Sequence, residues 1–235
     1  MRATLHAVPV TLGGAVGAAL PPPVIETLRE LTDFVVENSK SARAFLSTVG
    51  MPRPLRELHL AVLDEHTPPS SVPALLEPLR QGRSLGLLSE AGCPAIADPG
   101  AALVDAAHRE GFRVVPHIGP SAILLALMAS GFNGQRFAFC GYLPREAQAR
   151  DRRIRELEQR SRREMETEIF IETPYRSDAL VGALLEVCAP ATRLCIACNL
   201  TMPDESIAVK PVGDWRRSRP SIGRQPVVFV LSAQT

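Results

Sequence analysis

Short apolar runs alternate with longer helix-like segments through the first half of the chain, and this alternation restricts the fold more than any other feature. The predicted strands span residues 4–11, 33–38, 58–64, 84–89 and 112–118. Strands separated by helices of this length form right-handed βαβ units, which build a parallel sheet. Their apolar residues are consecutive, which indicates strands covered on both faces. The sequence therefore predicts a mostly parallel α/β domain over residues 1–118.

The second half of the chain follows a different pattern. Predicted strands at 167–173 and 192–201 precede ESIAVKPVGDW and QPVVFVLSA, and no helix is predicted between these last two segments. Adjacent strands that lack a crossover helix are expected to pair antiparallel. The pattern thus predicts a second α/β domain, with a mixed sheet, over residues 119–235.

Composition narrows the class of protein. The formal net charge is +1, so overall charge gives no argument for a nucleic-acid or membrane partner. Five cysteines in a chain of 235 residues show no framework spacing, which favours reduced thiols and a cytoplasmic protein. No run is long and apolar enough to be predicted as a membrane span.

Three loops at predicted strand ends consist of small residues, namely 11–14, 89–98 and 118–122. Ligands of open α/β sheets bind outside the carboxyl ends of strands, and small residues let a ligand approach the backbone. The sequence has no Walker pattern, and no G-x-G-x-x-G follows the first strand. These loops therefore favour a flat, mostly neutral ligand over a polyphosphate.

Several motifs occur in order along almost the whole chain. They are VPVTLGG (8–14), ENSK (37–40), SEAGCPAIADPG (89–100), VVPHIGPSAILLALMASG (114–131), GYLP (141–144), ETPYR (172–176) and CNLT (198–201). This series resembles the tetrapyrrole methylase superfamily of S-adenosylmethionine-dependent methyltransferases. Within that superfamily it is most similar to the ribosomal RNA small subunit methyltransferase I (cytidine-2'-O-methyltransferase) group.

The resemblance implies a homodimer of two-domain α/β subunits, with S-adenosylmethionine in the cleft between the domains. It also implies 2'-O-methylation of ribosomal RNA, free or in the small ribosomal subunit. The positions that would line the cofactor are Leu12, Glu90, Ala91, Cys93, Ser121, Ala122, Thr173, Leu200 and Pro226. Much of this contact is expected through the main chain, with Glu90 expected to contact the ribose.

Three motifs depart from the pattern of the group. Gly-Gly-Ala replaces Gly-Asn-Leu at 13–15, ENSK replaces an acidic Thr-Arg motif at 37–40, and Cys198-Asn199 replaces Arg-Glu. These changes keep two alternatives open. One is a methyltransferase of a small tetrapyrrole-like molecule, and the other is a catalytically silent, cofactor-binding paralogue.

The catalytic base is not identified by the sequence. Methyl transfer depends mainly on in-line positioning, although a hydroxyl acceptor also needs to lose its proton. The candidates for catalysis are Glu37, Lys40, His66, Glu172 and Arg176, with Glu65 and Tyr175 nearby in sequence. His66 is also consistent with a surface loop, and Arg176 with a phosphate contact that Glu172 orients.

Other residues have structural interpretations. Asp98 is predicted to cap a helix whose first residue is Pro99. Cys195 and Cys198 lie three residues apart in a predicted strand and should face opposite ways, so no metal site is predicted.

A segment rich in arginine, residues 145–163, carries eight arginines and four acidic residues. One interpretation is a solvated helix with i,i+4 ion pairs such as Asp151–Arg155 and Glu156–Arg160. The other is an edge that contacts RNA phosphates. The sequence leaves both open.

Overall fold

The computed structural model describes residues 3–234, which divide after Ser121 into two compact units, unit 1 and unit 2. Each unit is built around its own five-stranded sheet, called sheet 1 and sheet 2. Among the described residues, no helix combines the length and the apolar character needed to cross a membrane.

Sheet 1 is entirely parallel, with strand order β3-β2-β4-β1-β5. Its strands are β1 (Thr4–Ala7), β2 (Asp33–Val36), β3 (His59–Val62), β4 (Leu85–Leu88) and β5 (Arg113–Pro116). The helices of unit 1 are α1 (Val16–Ala19), α2 (Pro22–Glu30), α3 (Ser39–Val49), α4 (Glu77–Arg80) and α5 (Gly100–Arg109). Two 3-10 segments, Leu55–Glu57 and Pro69–Leu76, complete the unit. The predicted parallel α/β fold is confirmed.

Sheet 1 is covered on both faces, as its consecutive apolar residues predicted. Phe34 and Val36 of β2 pack into a core with α2 and α3, which includes Leu28 and Leu46. Val35, between them, belongs to a separate core on the opposite face with Leu103 of α5. Successive side chains of a strand point to opposite faces, so one buried strand supplies both cores.

Prolines shorten two of the predicted elements of unit 1. The predicted strand at 4–11 ends at Ala7, before Pro9, which has no N–H to donate to a neighbouring strand. The helix-like segment between the third and fourth predicted strands is largely the 3-10 segment Pro69–Leu76, which contains Pro73 and is followed by the single turn α4.

Sheet 2 is mixed, with strand order β6-β7-β10-β8-β9. Its strands are β6 (Phe137–Tyr142), β7 (Thr167–Glu172), β8 (Arg193–Cys198), β9 (Ser206–Pro211) and β10 (Val227–Ser232). The helices of unit 2 are α6 (Ala122–Ser130), α7 (Ala147–Glu164), α8 (Ser177–Val187) and α9 (Val212–Arg217), with a 3-10 turn at Pro174–Arg176. The prediction of a mixed second sheet is confirmed.

The prediction that no helix lies between the last two strands is wrong, because α9 occupies residues 212–217. Val212 and Trp215 are buried three residues apart on one face of this helix. The Trp215 indole N–H donates to the Leu194 carbonyl oxygen at 2.9 Å. Burial of the Trp215 indole stabilises this short helix, which the helix propensities of its residues alone would not predict.

Strand directions bring many of the sequence motifs of unit 2 to one edge of sheet 2. β6 is parallel to β7, and β10 is antiparallel to both β7 and β8. β9 is antiparallel to β8. The carboxyl ends of β6, β7 and β8 therefore share an edge with the amino ends of β9 and β10, and this edge is called the motif edge.

Candidate functional site

The three small-residue loops of unit 1 contact one another at the carboxyl edge of sheet 1. Val10 and Gly92 exchange two backbone hydrogen bonds, with N···O distances of 2.8 and 3.0 Å. The Cys93 thiol donates to the Pro120 carbonyl oxygen at 3.3 Å. The loops that follow β1, β4 and β5 are thus joined directly, which brings together the regions of Leu12, Cys93 and Ser121.

The junction of these loops favours glycine at two positions, at one for its backbone conformation and at the other for the close approach of two segments. Gly92 has a φ of +76°, and a Cβ there would lie 3.4 Å from the Leu12 side chain. A Cβ on Gly119 would lie 2.4 Å from the Pro9 ring, closer than atoms can approach. The glycines therefore allow a compact backbone surface at the loop junction.

The loop between β4 and α5 has a strained backbone and a buried carboxylate oxygen that accepts no hydrogen bond from the described residues. Ala95 and Ala97 adopt φ values of 67° and 64°, which alanine rarely occupies. Asp98 Oδ1 accepts hydrogen bonds from the backbone N–H groups of Ala95 and Gly100, at 2.9 and 2.7 Å. Asp98 Oδ2 is buried and has no hydrogen-bond partner within the described part of the chain. Burial raises the pKa of the Asp98 carboxyl above its usual value.

The predicted helix start at Pro99 is wrong by one residue, because α5 begins at Gly100 and Pro99 occupies the cap position. Asp98, the residue before the cap, still accepts a hydrogen bond from the first N–H group of α5, that of Gly100. The same oxygen accepts the N–H group of Ala95, so the side chain joins the loop to the start of the helix.

Glu37, the first residue after β2, lies next to the end of β4. Its Oε2 accepts a hydrogen bond from the Glu90 backbone N–H at 3.1 Å, and Ser41 Oγ donates to Glu90 Oε1 at 3.0 Å. Burial raises the pKa of Glu37, and the negative charges of Asp98, Glu90 and Glu65 raise it further. A carboxylate with a raised pKa is a stronger proton acceptor than an ordinary one.

The other two catalytic candidates of unit 1 are exposed. Lys40 lies in the first turn of α3, and its backbone N–H donates to the capping side chain of Asn38 at 2.8 Å. The His66 ring lies 3.6 Å from Glu65 Oε1, with 83% of its side chain exposed. Lys40 thus lies at the start of a helix, and His66 lies in a surface loop.

Three cofactor candidates of unit 2 lie at the motif edge. Thr173 follows β7, Leu200 follows β8, and Pro226 precedes β10. The Asn199 backbone N–H donates to the Pro226 carbonyl oxygen at 3.0 Å, which joins two of these segments. Ala122 is the first residue of α6, a helix that packs on β8, β9 and β10.

Glu172 and Arg176 form an ion pair at the same edge. Arg176 Nη2 lies 2.7 Å from Glu172 Oε2, and Glu172 is buried. Glu172 Oε1 also accepts the Thr173 backbone N–H at 2.7 Å. Arg176 Nη2 donates to the Leu143 carbonyl oxygen at 3.5 Å, so it joins the GYLP and ETPYR segments. Glu172 therefore orients Arg176, as the sequence suggested.

The loop after β8 is also strained. Asn199 and Thr201 have φ values of 49° and 71°. Asn199 Nδ2 donates to Asp204 Oδ2 at 2.7 Å, and the Thr201 backbone N–H donates to Glu205 at 2.8 Å. Of the five non-glycine residues with positive φ in the described chain, four lie in this loop and in the loop 89–100. A strained backbone conformation costs free energy and persists only where the surrounding structure holds it. Such conformations cluster at functional sites.

The predicted i,i+4 ion pairs of α7 are wrong. Glu156 pairs with Arg153 at 3.2 Å, and the Asp151 carboxylate lies 3.9 Å from Arg150. Arg160 instead pairs with Glu166 at 3.0 Å and with Glu168 of β7, whose side chain is fully buried. A buried carboxylate needs a counter-charge more than an exposed one does, so Glu168 determines the orientation of Arg160.

The inner face of α7 packs on unit 2 through Ile154, Leu157, Glu158 and Ser161, which are buried. Glu158 Oε1 accepts the Ala189 backbone N–H at 2.7 Å, which fixes the helix to the loop after α8. The exposed arginines of this segment are Arg145, Arg152, Arg155, Arg162 and Arg163.

The cysteines and histidines do not form a metal centre among the described residues. All five cysteines are free thiols, and Cys195 and Cys198 are buried in β8. Residues 3–234 contain no group of three or more His, Cys, Asp or Glu side chains arranged to hold a metal ion. His6 Nδ1 lies 2.9 Å from His117 Nε2 as an isolated pair.

Sequence reasoning missed Leu143 and the second oxygen of Asp98 as parts of these sites. The Leu143 contribution is a carbonyl group, which leaves no side-chain signal. Asp98 was assigned to capping, and its buried Oδ2 is visible only once the loop is folded.

Comparison with known proteins finds the same family that the sequence motifs resemble. The family model described as Tetrapyrrole (Corrin/Porphyrin) Methylases matches residues 63–215. The ribosomal RNA small subunit methyltransferase I of Xylella fastidiosa is 38% identical over 173 residues, which cover 74% of this chain and 59% of that protein. The protein of the same name from Pseudomonas aeruginosa is 31% identical over 216 residues, covering 91% and 73%. The chain thus matches less than two thirds of the Xylella relative's length.

Solved structures share the fold at low sequence identity. The crystal structure of diphthine synthase superimposes with a TM-score of 0.68 at 16% identity, covering 98% of this chain and 90% of that one. The methyltransferase CobJ gives a TM-score of 0.67 at 20% identity, covering 99% and 94%.

Proposed function

The chain belongs to the tetrapyrrole (corrin/porphyrin) methylase family, and we propose that it is an S-adenosylmethionine-dependent methyltransferase that acts on ribosomal RNA. The observation that carries this proposal is the direct joining of three small-residue loops through Val10, Gly92, Cys93 and Pro120. Such a junction presents backbone N–H and C=O groups, which suit a ligand of low net charge.

Each unit carries its own set of cofactor candidates. Those of unit 1, in the loops that follow its strands, are Leu12, Glu90, Ala91, Cys93 and Ser121, and those of unit 2 are Ala122, Thr173, Leu200 and Pro226. Glu90 supplies a carboxylate for ribose hydroxyls, and the strained loops fix the backbone around these positions. The bound cofactor would supply a methyl group on a sulfonium, which is already activated for transfer.

We assign the proton-accepting role to Glu37. A ribose hydroxyl loses its proton as it accepts a methyl group, and a nearby base assists that loss. The pKa of Glu37 is raised by burial, and its Oε2 is held by the Glu90 N–H. Glu172, in contrast, is committed to Arg176 and Thr173, which leaves it the role of orienting Arg176.

RNA as the acceptor is supported by the relatives named ribosomal RNA small subunit methyltransferase I and by the surface of unit 2. Exposed arginines of α7 and the adjoining Arg145 suit contacts with phosphates, as does the oriented Arg176. The ribose 2'-oxygen is the proposed target within this RNA, which the small ribosomal subunit would present.

We also propose a cytoplasmic homodimer. Five free thiols are consistent with a reducing compartment. On α6, a helix without charged residues, Leu124 and Met128 are 50% and 78% exposed. These two side chains lie four residues apart on one helix face, where a second copy of the chain would cover them.

The test is methyl transfer from labelled S-adenosylmethionine to a cell extract that is then separated into RNA, protein and small molecules. Label in the small ribosomal RNA, at a ribose oxygen, is the expected result. Label in the small-molecule fraction would favour a tetrapyrrole-like acceptor instead. Cofactor binding without any label would indicate the silent paralogue, which the changed ENSK and CNLT motifs allow.

A further inference from the structure

The only two tyrosines of the sequence, Tyr142 and Tyr175, are both exposed in unit 2. The exposed fractions are 55% for Tyr142 and 74% for Tyr175. An aromatic side chain carries a large apolar area, so two such residues left at a surface call for a function.

Both tyrosines lie at the motif edge. Tyr142 ends β6 and pairs in register with Ile171 of the parallel strand β7. Tyr175 lies in the 3-10 turn that directly follows β7. The hydrogen bond from Arg176 to the Leu143 carbonyl joins the residue after Tyr175 to the residue after Tyr142.

Two arginines adjoin the tyrosines along the chain. Arg176 is held there by Glu172, and Arg145 follows Tyr142 by three residues and is exposed. The neighbouring acid, Glu146, is engaged at the start of α7, where its carboxylate accepts the N–H groups of Gln148 and Ala149. Rings that alternate with arginines are typical of surfaces that bind single-stranded nucleic acid, because bases stack on the rings while arginines contact phosphates.

We propose that Tyr142 and Tyr175 form a stacking site for unpaired bases of the RNA acceptor. This proposal rests on the proposed function and adds that the acceptor binds as a single strand at the motif edge. The arginines would then set affinity through charge, and the two rings would select unpaired RNA over a duplex.

The experiment measures binding of a labelled oligoadenylate and of a labelled RNA duplex by fluorescence anisotropy at several salt concentrations. The variants are Tyr142→Leu, Tyr175→Leu and the ring-preserving Tyr142→Phe and Tyr175→Phe. Phe137→Leu is the matched control, because Phe137 is 40% exposed at the opposite end of β6. Each variant is checked by its melting temperature.

Each leucine variant should bind the single strand about 5- to 150-fold more weakly, as expected when one base no longer stacks on an aromatic ring. The salt dependence should stay the same because tyrosine is uncharged. The phenylalanine variants and the control should bind like the parent, and the duplex should bind equally weakly throughout.

Equal binding of the single strand by the parent and both leucine variants would overturn the stacking site and leave the proposed function intact. Leucine variants that lose self-association instead of RNA affinity would also overturn it, because the rings would then serve a protein interface. A parent that binds neither RNA would remove the stacking site together with the RNA acceptor.

Discussion

The Glu37 carboxylate accepts the backbone N–H of Glu90 at 3.1 Å, so the ends of β2 and β4 are joined through a side chain with a raised pKa. Substitution Glu37→Gln should lower kcat about 100-fold, the lower limit for removal of general-base assistance. Binding of S-adenosylmethionine, measured by calorimetry, should be unchanged. Glu57→Gln, at an exposed position of unit 1, should leave kcat at the parent value.

The pH dependence of the parent provides a second readout for Glu37. A base acts in its deprotonated form, and the pKa of Glu37 lies above its ordinary 4.5. The value of kcat should therefore fall with decreasing pH at a point above 4.5, and this acid limb should disappear in Glu37→Gln. A full acid limb in the variant would exclude Glu37 as the base.

Cofactor binding should depend on two small residues, Ala91 and Ala122. Ala91→Leu and Ala122→Leu should abolish the thermal stabilisation by S-adenosylmethionine, because a larger side chain covers the backbone that the ligand approaches. Ala74→Leu is the control, since Ala74 lines a separate cavity of about 280 Å³ at the amino edge of sheet 1. Calorimetry that shows no binding to the parent at millimolar concentration would contradict the site assignment.

The exposed Arg152 and Arg155 of α7, with the half-buried Arg153 between them, should contribute charge to RNA binding. Changing Arg152, Arg153 and Arg155 to glutamine should weaken binding and lower the salt slope by about one unit for each phosphate that the protein no longer neutralises. Stability should change little, because exposed ion pairs such as Arg153–Glu156 contribute about 0.3–0.5 kcal/mol.

The matched control for α7 changes three exposed arginines of unit 1, Arg53, Arg56 and Arg109, to glutamine. It removes the same charge and should bind RNA with the parent's salt slope. If both triple variants behave alike, net charge explains the effect and α7 is a solvated face.

The oligomeric state should be a dimer in solution. Light scattering should give about twice the chain mass of 25.4 kDa. The double substitution of Leu124 and Met128 to glutamate should give the monomer mass, because it places charge on the proposed interface. Met165→Glu, at a side chain that is 50% exposed, should remain dimeric. A parent that scatters as a monomer at micromolar concentration would contradict the interface.

The His6–His117 pair should make stability depend on pH. Burial lowers the pKa of both rings below 6.5, and the charges of His117 and Arg113 lower that of His6 further. The unfolded chain therefore takes up protons first as the pH falls below 6.5, and the free energy of unfolding decreases over that range. Urea unfolding at a series of pH values should show a shallower decrease for His117→Gln than for the parent.

Sequence alone predicts where the motifs meet, because parallel strands place their carboxyl ends at one edge. The Leu12 loop was assigned on that basis, whereas Thr173 and Leu200 were assigned by resemblance, and each lies beyond the carboxyl end of its strand. What the sequence could not predict depends on contacts between distant residues. Arg160 pairs with Glu168 because β7 buries that carboxylate, and α9 forms because Trp215 reaches Leu194. The positive φ angles of Ala95 and Ala97 could not be predicted from the sequence, because alanine rarely adopts positive φ.

The position of β10 has a consequence for synthesis on the ribosome. β10 lies in the middle of sheet 2, between β7 and β8, although it is the last strand of that sheet to be made. Every strand of sheet 1 is complete once residue 116 has left the exit tunnel, so unit 1 can fold while unit 2 is still being translated. Until residues 227–232 emerge, β7 and β8 each expose an unpaired backbone edge, which is a site for aggregation. A nascent chain that stalls before Val227 would therefore present an unfinished sheet to chaperones.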